Sequence, residues 1–148
     1  MSLAGPPNRV LEAAISAASE RGMLVIAAVG NNGPAGEPLY PAAYAHVVGV
    51  TAVDSANRIY RYANRGRHVT FAAPGVRVKV ADDGGGYSTE SGTSMAAPYA
   101  AAIIAQAVAK GVAPSNDEVL AALKAAAIDL GDKDFDDVFG YGLIANVE

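Results

Sequence analysis

Ser94 stands in the stretch Gly92-Thr93-Ser94-Met95-Ala96-Ala97-Pro98, between a glycine turn and an alanine-rich run where a helix should begin. A serine there supports two readings. As a cap, Thr93 or Ser94 secures a helix whose small side chains, Ala96, Ala97 and Ala100 to Ala102, pack closely on a core. As a nucleophile, Ser94 lies beside free amides, because the first helical N–H groups lack intrahelical acceptors. Its own N–H can then donate to an oxyanion forming next to its hydroxyl. A second constellation is Ala27-Ala28-Val29-Gly30-Asn31-Asn32-Gly33, just past a buried strand. Ligands usually bind at that carboxyl edge in open α/β sheets. Asn and Gly also suit an ordinary turn. As chemistry, the Asn31 amide supplies a second donor to the same oxyanion. No Lys or Thr follows as a phosphate loop requires, which removes that option.

These residues need a frame to hold them. Val10 to Arg21 puts Val10, Ala14, Ala17 and Ala18 on one face and reads as an amphipathic helix, capped by Asn8 and stopped by Gly22. Three apolar runs follow: Met23 to Gly30, His46 to Asp54 and His68 to Gly75. Continuous apolar runs mark strands buried on both faces. Arg77 to Ala81 reads as a fourth, edge-like piece, and Asp82 to Gly92, rich in Gly, Ser and Thr, as a loop. A helix runs from Ser94 to about Lys110, with Pro98 placed in its first turn, where a missing N–H is tolerated. Ser115 to Ala127 gives another, capped by serine or asparagine with acids in its opening turn. The tail after Phe139 reads only as a turn. Buried strands with helices between them indicate an α/β layer with a mostly parallel sheet.

Composition narrows the function classes. The 148 residues suit one domain with one core. Hydrophobic residues make up 51% and charged ones 18%, which excludes a disordered chain. No apolar run approaches the ~20 residues that span a bilayer. A net charge of −4 and a pI near 5.1 leave no basic footprint for nucleic acid. The chain has no cysteine, so disulfides and thiolate metal sites are excluded.

The motif around Ser94 resembles the nucleophile motif of the subtilisin-like serine peptidases, the subtilases. Val25 to Gly33 resembles the family's oxyanion-asparagine segment, and Tyr40 to Asp54 its next strand with the lead-in. Phe71 to Gly75, Gly140 to Val147 and Met1 to Pro6 resemble further family segments, in the family's order along nearly the whole chain. The resemblance implies that Ser94 is the nucleophile and that Asn31 and the Ser94 N–H form the oxyanion hole. It implies that Ala28, Val29 and Gly30 form one wall of the pocket for the residue before the scissile bond, with Thr93 nearby. Ser2, Leu3, Ala4 and Gly5 form the other wall and pair with the substrate backbone as an added strand.

A serine hydroxyl is a weak nucleophile until a base takes its proton. Neither His46 nor His68 stands in the His-Gly-Thr setting of a subtilase base, and both read as structural or surface residues. Asp54 matches a non-catalytic position of the family. Subtilases carry their triad in the order Asp, His, Ser. The resemblance therefore implies that residues 1–148 are the C-terminal portion of a catalytic domain, a partial subtilisin-like fold lacking the early strands. Its partners would be the upstream half bearing Asp and His, and a peptide or protein substrate. A sheet cut through its middle exposes an edge, which favours self-association. Such a chain should be inactive alone. The rival reading is a catalytically dead subtilase-like module that binds peptides or proteins.

Leu39, before Tyr40-Pro41, falls near the pocket floor and would favour small or medium apolar residues. Many subtilases hold calcium, some through carboxylates before the third strand. His68 and Thr70 stand there instead, so no cofactor and no metal are expected from that site, with calcium left to the longer protein. The family habit implies an extracellular or cell-envelope location.

Overall fold

The computed structural model describes residues 1–113 and 115–147. Helix α1 (Arg9–Glu20) leads into strands β1 (Val25–Ala28), β2 (Val47–Val53) and β3 (Phe71–Pro74). Strands β4 (Val78–Ala81) and β5 (Tyr87–Glu90) follow, then helices α2 (Thr93–Ala109) and α3 (Asn116–Ala126). Strands β1, β2 and β3 form a parallel sheet in that order, with Val25 opposite Val47 and Val50 opposite Phe71. β2 is central, and every residue from Val48 to Val53 is buried, as its unbroken apolar run predicts. The expectation of helices between the strands fails. Residues 29–46 and 54–70 cross from strand to strand without a helix, and the covering helices come before and after.

One face of the sheet carries the main core. Val48, Val50 and Ala52 of β2 and Phe71 and Ala73 of β3 meet Ala96, Ala100, Ile104 and Ala107 of α2, with Val119 and Leu123 of α3 behind them. Small residues along α2 let its backbone approach the sheet. On the opposite face Ala27, Val29, Ala42 and Val69 make a smaller cluster. The tail covers the β3 edge: Ala72 N–H donates to Gly142 O at 2.8 Å, and Ile144 N–H donates to Ala72 O at 2.9 Å. Along the outer edge of β1, Ala28 N–H donates to Met1 O at 3.1 Å, and the Met1 amine bonds Ile26 O.

Two local expectations are corrected. Asn8 caps α1, accepting from Val10 and Leu11 N–H, but the buried face is not the one expected. Val10 is 80% exposed, and Ile15 is the fully buried residue. Alanine marks a helix face weakly, so Ala14 and Ala17 gave the pattern a false phase. The segment from Asp82 to Gly92 is not all loop. Tyr87–Glu90 pairs antiparallel with Val78–Ala81 as an exposed hairpin, separate from the parallel sheet. Its composition is that of a loop because neither strand enters a core.

Gly75 fixes the approach of α2. Its carbonyl accepts Gly92 N–H at 2.8 Å. A Cβ there would fall 2.7 Å from Ala52 Cβ, 2.9 Å from Gly92 O and 3.0 Å from Ala96 Cβ. Backbone cannot yield cheaply, so Gly75→Ala should destabilise the chain by about 1–3 kcal/mol through overpacking. A urea titration reads this as a lower midpoint; an unchanged midpoint would refute the close contact.

Candidate active site

Asn31 follows the carboxyl end of β1, and α2 starts beyond the carboxyl end of β3, so the parallel strands bring both motifs to one end of the sheet. Gly30 makes the turn at φ +104, where a Cβ would fall 2.5 Å from Leu39 Cδ1. The capping expectation for Thr93 and Ser94 is overturned. Gly92 is the N-cap, and no side chain caps the helix. Thr93 is completely buried and its hydroxyl is used elsewhere. Gly30 N–H donates to Thr93 Oγ1 at 3.2 Å, and that hydroxyl donates to Asn31 Oδ1 at 3.0 Å. Thr93 N–H donates to the same Oδ1 at 3.0 Å. An N–H can only donate, so the Asn31 oxygen must face Thr93 and its NH₂ must turn the other way. Gly92 stands at φ +155, a backbone conformation that residues bearing a side chain rarely adopt, while a Cβ there would make only an ordinary 3.4 Å contact with Asn31 Nδ2.

Pro98 corrects a further expectation. It lies in the second turn of α2, not the first. Lacking an N–H, it leaves the Ser94 carbonyl, four residues earlier, without its helical donor. Ser2 Oγ supplies the missing bond at 2.9 Å. In return Ser94 Oγ donates to Ser2 O at 3.4 Å. The Ser94 N–H is one of the first helical amides, which have no intrahelical acceptor.

A cavity of about 390 Å³ opens beside these groups. Ala28, Gly30, Asn31 and Asn32 line one side, and Leu3, Ala4, Gly5 and Pro6 the other, with Leu39, Thr93 and Ser94 completing it. Two expected wall residues are not in the lining. Val29, just past β1, is fully buried in the cluster with Ala27, Ala42 and Val69. Ser2 spends its polar groups on Ser94. Gly5 lines the cavity but its backbone is taken: Gly5 N–H donates to Tyr40 O at 2.9 Å and Tyr40 N–H to Gly5 O at 2.8 Å. Leu3 and Ala4 have no main-chain hydrogen bond among the described residues.

Among the described residues no titratable side chain lines this cavity. His46 and His68 precede β2 and β3, at the opposite end of the parallel strands, and line a different hollow. Asp54 lies at the right end, but its carboxylate is committed to Ala56 N–H, Arg58 N–H and the Arg58 guanidinium. That hydrogen bonding to Arg58 holds it below the usual carboxylate range. Burial pushes the His68 imidazole below its ordinary value, only partly opposed by the charge of Asp137. Its Nε2 is buried without a hydrogen-bond partner. Imidazole and hydroxyl are poor calcium donors, so His68 and Thr70 do not fit that ion. Among the described residues, no three His, Cys, Asp or Glu side chains group as a metal site. The sequence reading missed Asn64, which is fully buried and bonded to the loop carrying Asn31.

Two outcomes follow. Thr93→Val keeps the shape but strands Gly30 N–H, which should lower stability by about 1–3 kcal/mol in a denaturant titration. An unchanged midpoint would remove Thr93 from its linking role. For His68, the folded state binds fewer protons than the unfolded one just below the ordinary pKa of about 6.5. Stability is therefore full above that pH and falls as pH drops through it, levelling once the folded imidazole also protonates. Urea midpoints measured from pH 8 to pH 5 should show this fall, and His68→Gln should flatten it.

Comparison with known proteins places this geometry. The model of the subtilase family matches residues 1–142. The minor extracellular protease Epr of Bacillus subtilis (strain 168) is 38% identical over 93% of this chain and 21% of its own length. Subtilisin Savinase of Lederbergia lenta is 38% identical over 97% of this chain and 52% of its own. Among solved structures, sphericase superposes with a TM-score of 0.90 at 28% identity, covering all of this chain and 56% of that one. The S41 psychrophilic protease gives 0.88 at 31% identity, with the same coverage. The chain thus spans between about a fifth and a half of the curated relatives it matches. With its fold, its motif order and these likenesses in agreement, the chain belongs to the subtilase family.

Proposed function

We propose that residues 1–148 carry the nucleophile, the oxyanion hole and part of the substrate cleft of a subtilisin-type serine endopeptidase. The observation that carries this reading is the locked Asn31 amide. With its oxygen held by Thr93, its Nδ2 is the end left to the cavity that Ser94 also lines. Ser94 Oγ attacks a peptide carbonyl carbon, and its proton passes to a base. The carbonyl oxygen gains the negative charge and is met by Asn31 Nδ2 and the Ser94 N–H. The C–N bond breaks as the amine takes the proton, and water then hydrolyses the acyl-enzyme.

The base is not among the residues lining the cavity. In the family's order the Asp and His precede the Ser, so we assign them to sequence upstream of residue 1, making this chain the C-terminal portion of the catalytic domain. An open apolar hollow of about 300 Å³ between the start of α2 and β4, lined by Met95, Pro98, Tyr99, Ala102, Val78 and Val80, supports a missing partner there. The sheet edge left without that partner is the surface that favours self-association. The substrate is a peptide or protein, its backbone pairing with the free edge of Leu3 and Ala4, and its side chain entering between Ala28 and Gly30. Leu39, whose Cδ1 lies over Gly30, shortens that pocket in favour of small or medium apolar side chains. The setting is extracellular, as the printed name of one relative has it for that protein. Among the described residues no helix is long and apolar enough to cross a membrane. Any calcium belongs to parts of the domain other than the His68–Thr70 position.

The test mixes this chain with an upstream segment bearing Asp and His and asks whether a fluorophosphonate labels Ser94. Labelling and peptide hydrolysis should appear together and vanish in Ser94→Ala. Asn31→Ala should lower the rate roughly 10²–10³-fold, the loss known for an oxyanion asparagine in this family. Leu39→Gly should raise kcat/KM for a bulky residue before the scissile bond by about 10-fold or more. Normal turnover by the isolated chain, abolished in Ser94→Ala, would overturn the missing base. No labelling in any mixture would favour a binding module that has lost catalysis.

A further inference from the structure

Asn64 lies in the irregular crossing between β2 and β3, with no exposed surface. A buried amide needs partners for its oxygen and its nitrogen. All of Asn64's go to one loop. Its backbone N–H donates to Gly30 O at 3.1 Å. Its Oδ1 accepts Asn32 N–H at 2.8 Å, and its Nδ2 donates to Glu37 O at 2.9 Å. The loop is shaped around it: a Cβ on Gly36 would lie 2.8 Å from Asn64 Nδ2, and one on Gly30 would lie 3.1 Å from Asn64 Oδ1.

Asn31 sits between the first two of these anchors. Gly30 is gripped on both sides, its N–H by Thr93 and its carbonyl by Asn64. On the other side of Asn31, the Asn32 N–H is also held by Asn64. We infer that Asn64 is a positioning residue for Asn31: it fixes the peptide units flanking Asn31, so that the side chain meets Thr93 with its nitrogen left to the cavity. The catalytic meaning rests on Asn31 being an oxyanion donor; the positioning itself does not. A residue serving only to fill the space would be replaceable by an apolar one of similar size. The two side-chain hydrogen bonds to a segment without regular structure are a different requirement, while the backbone bond to Gly30 O needs no particular side chain.

The test uses the ¹⁵N-labelled chain with Asn64→Leu, similar in size but without polar groups, and Asn64→Asp, which keeps the acceptor for Asn32 N–H. In Asn64→Leu, exchange protection of the Asn32 amide should fall about 10-fold or more while Val50 and Ile104 keep theirs. The Asn31 side-chain NH₂ resonances should shift or broaden with it. Asn64→Asp should restore both readings. Unchanged Asn32 protection and Asn31 resonances in Asn64→Leu would overturn the proposal. So would a uniform loss that includes Val50 and Ile104 in a folded chain, since that is a packing role alone. If Asn64→Leu does not fold, Asn64→Asp decides: loss of both readings in that folded variant overturns the proposal, and their retention supports it. A peptidase indifferent to Asn31→Ala would sink the oxyanion reading and leave these measurements standing.

Discussion

The site depends on one small knot of hydrogen bonds at Thr93. Its hydroxyl accepts from Gly30 and donates to Asn31, and its N–H donates to the same Asn31 oxygen. These bonds join the loop after β1 to the first residue of α2, two pieces more than sixty positions apart in sequence. Buried polar groups of this kind are expensive when left unpaired, so the knot is either complete or the junction gives way. The chemistry follows from its direction. Because the Thr93 N–H can only donate, the orientation of the Asn31 amide is dictated, and a donor is left free beside a serine. Gly92 as a cap without a side chain is part of the same arrangement, since its φ of +155 is one that residues bearing a side chain rarely adopt.

Pro98 adds a second constraint through the backbone. A proline in the second turn of a helix normally weakens it, both by the lost N–H and by crowding the carbonyl four residues earlier. Here that carbonyl belongs to Ser94, and Ser2 takes the place of the missing donor. The helix start is therefore tied to the first residues of the chain, which also line the cavity. A feature that looks like a helix defect thus supplies a point of attachment between the serine and the cleft wall.

Much of this was legible in the sequence, for reasons that differ by element. The parallel strands announced themselves because burial on both faces requires unbroken apolar runs, as in Val48 to Val53. Glycines and apolar boundaries marked a strand end at Asn31 and a helix start near Ser94, the family resemblance joined the two, and both line one cavity. The hairpin of β4 and β5 was not, since an exposed two-stranded ribbon needs no apolar pattern. The buried face of α1 was misread because alanine fits either side of a helix, while Ile15 alone carried the true phase. Val29, expected in the cavity wall, is instead buried in the small cluster on the other face of the sheet, a placement that its apolar side chain does not distinguish from a wall position. Asn64 gave no signal at all. A polar residue in a polar segment reads as solvated, and only the fold reveals that it is sealed inside a loop.

Sheet polarity explains why neither histidine meets the serine. Parallel strands have two unlike ends, and every strand delivers the residues before it to one and those after it to the other. His46 and His68 precede their strands; Asn31 and the approach to α2 follow theirs. With β2 running from Val47 to Val53 at ~3.3 Å per residue, the two ends lie roughly 20 Å apart. No side-chain rotation spans that distance. On the proposed reading, a base for Ser94 comes from the carboxyl end of the sheet, where the cavity and Asn31 lie. At that end Asp54 is already bound into its own turn with Arg58. The cavity walls supply hydrogen-bond donors and apolar surface but no proton acceptor of the right strength. On the proposed reading these walls serve the half of acyl transfer that stabilises charge, and the half that moves the proton is assigned to the upstream segment.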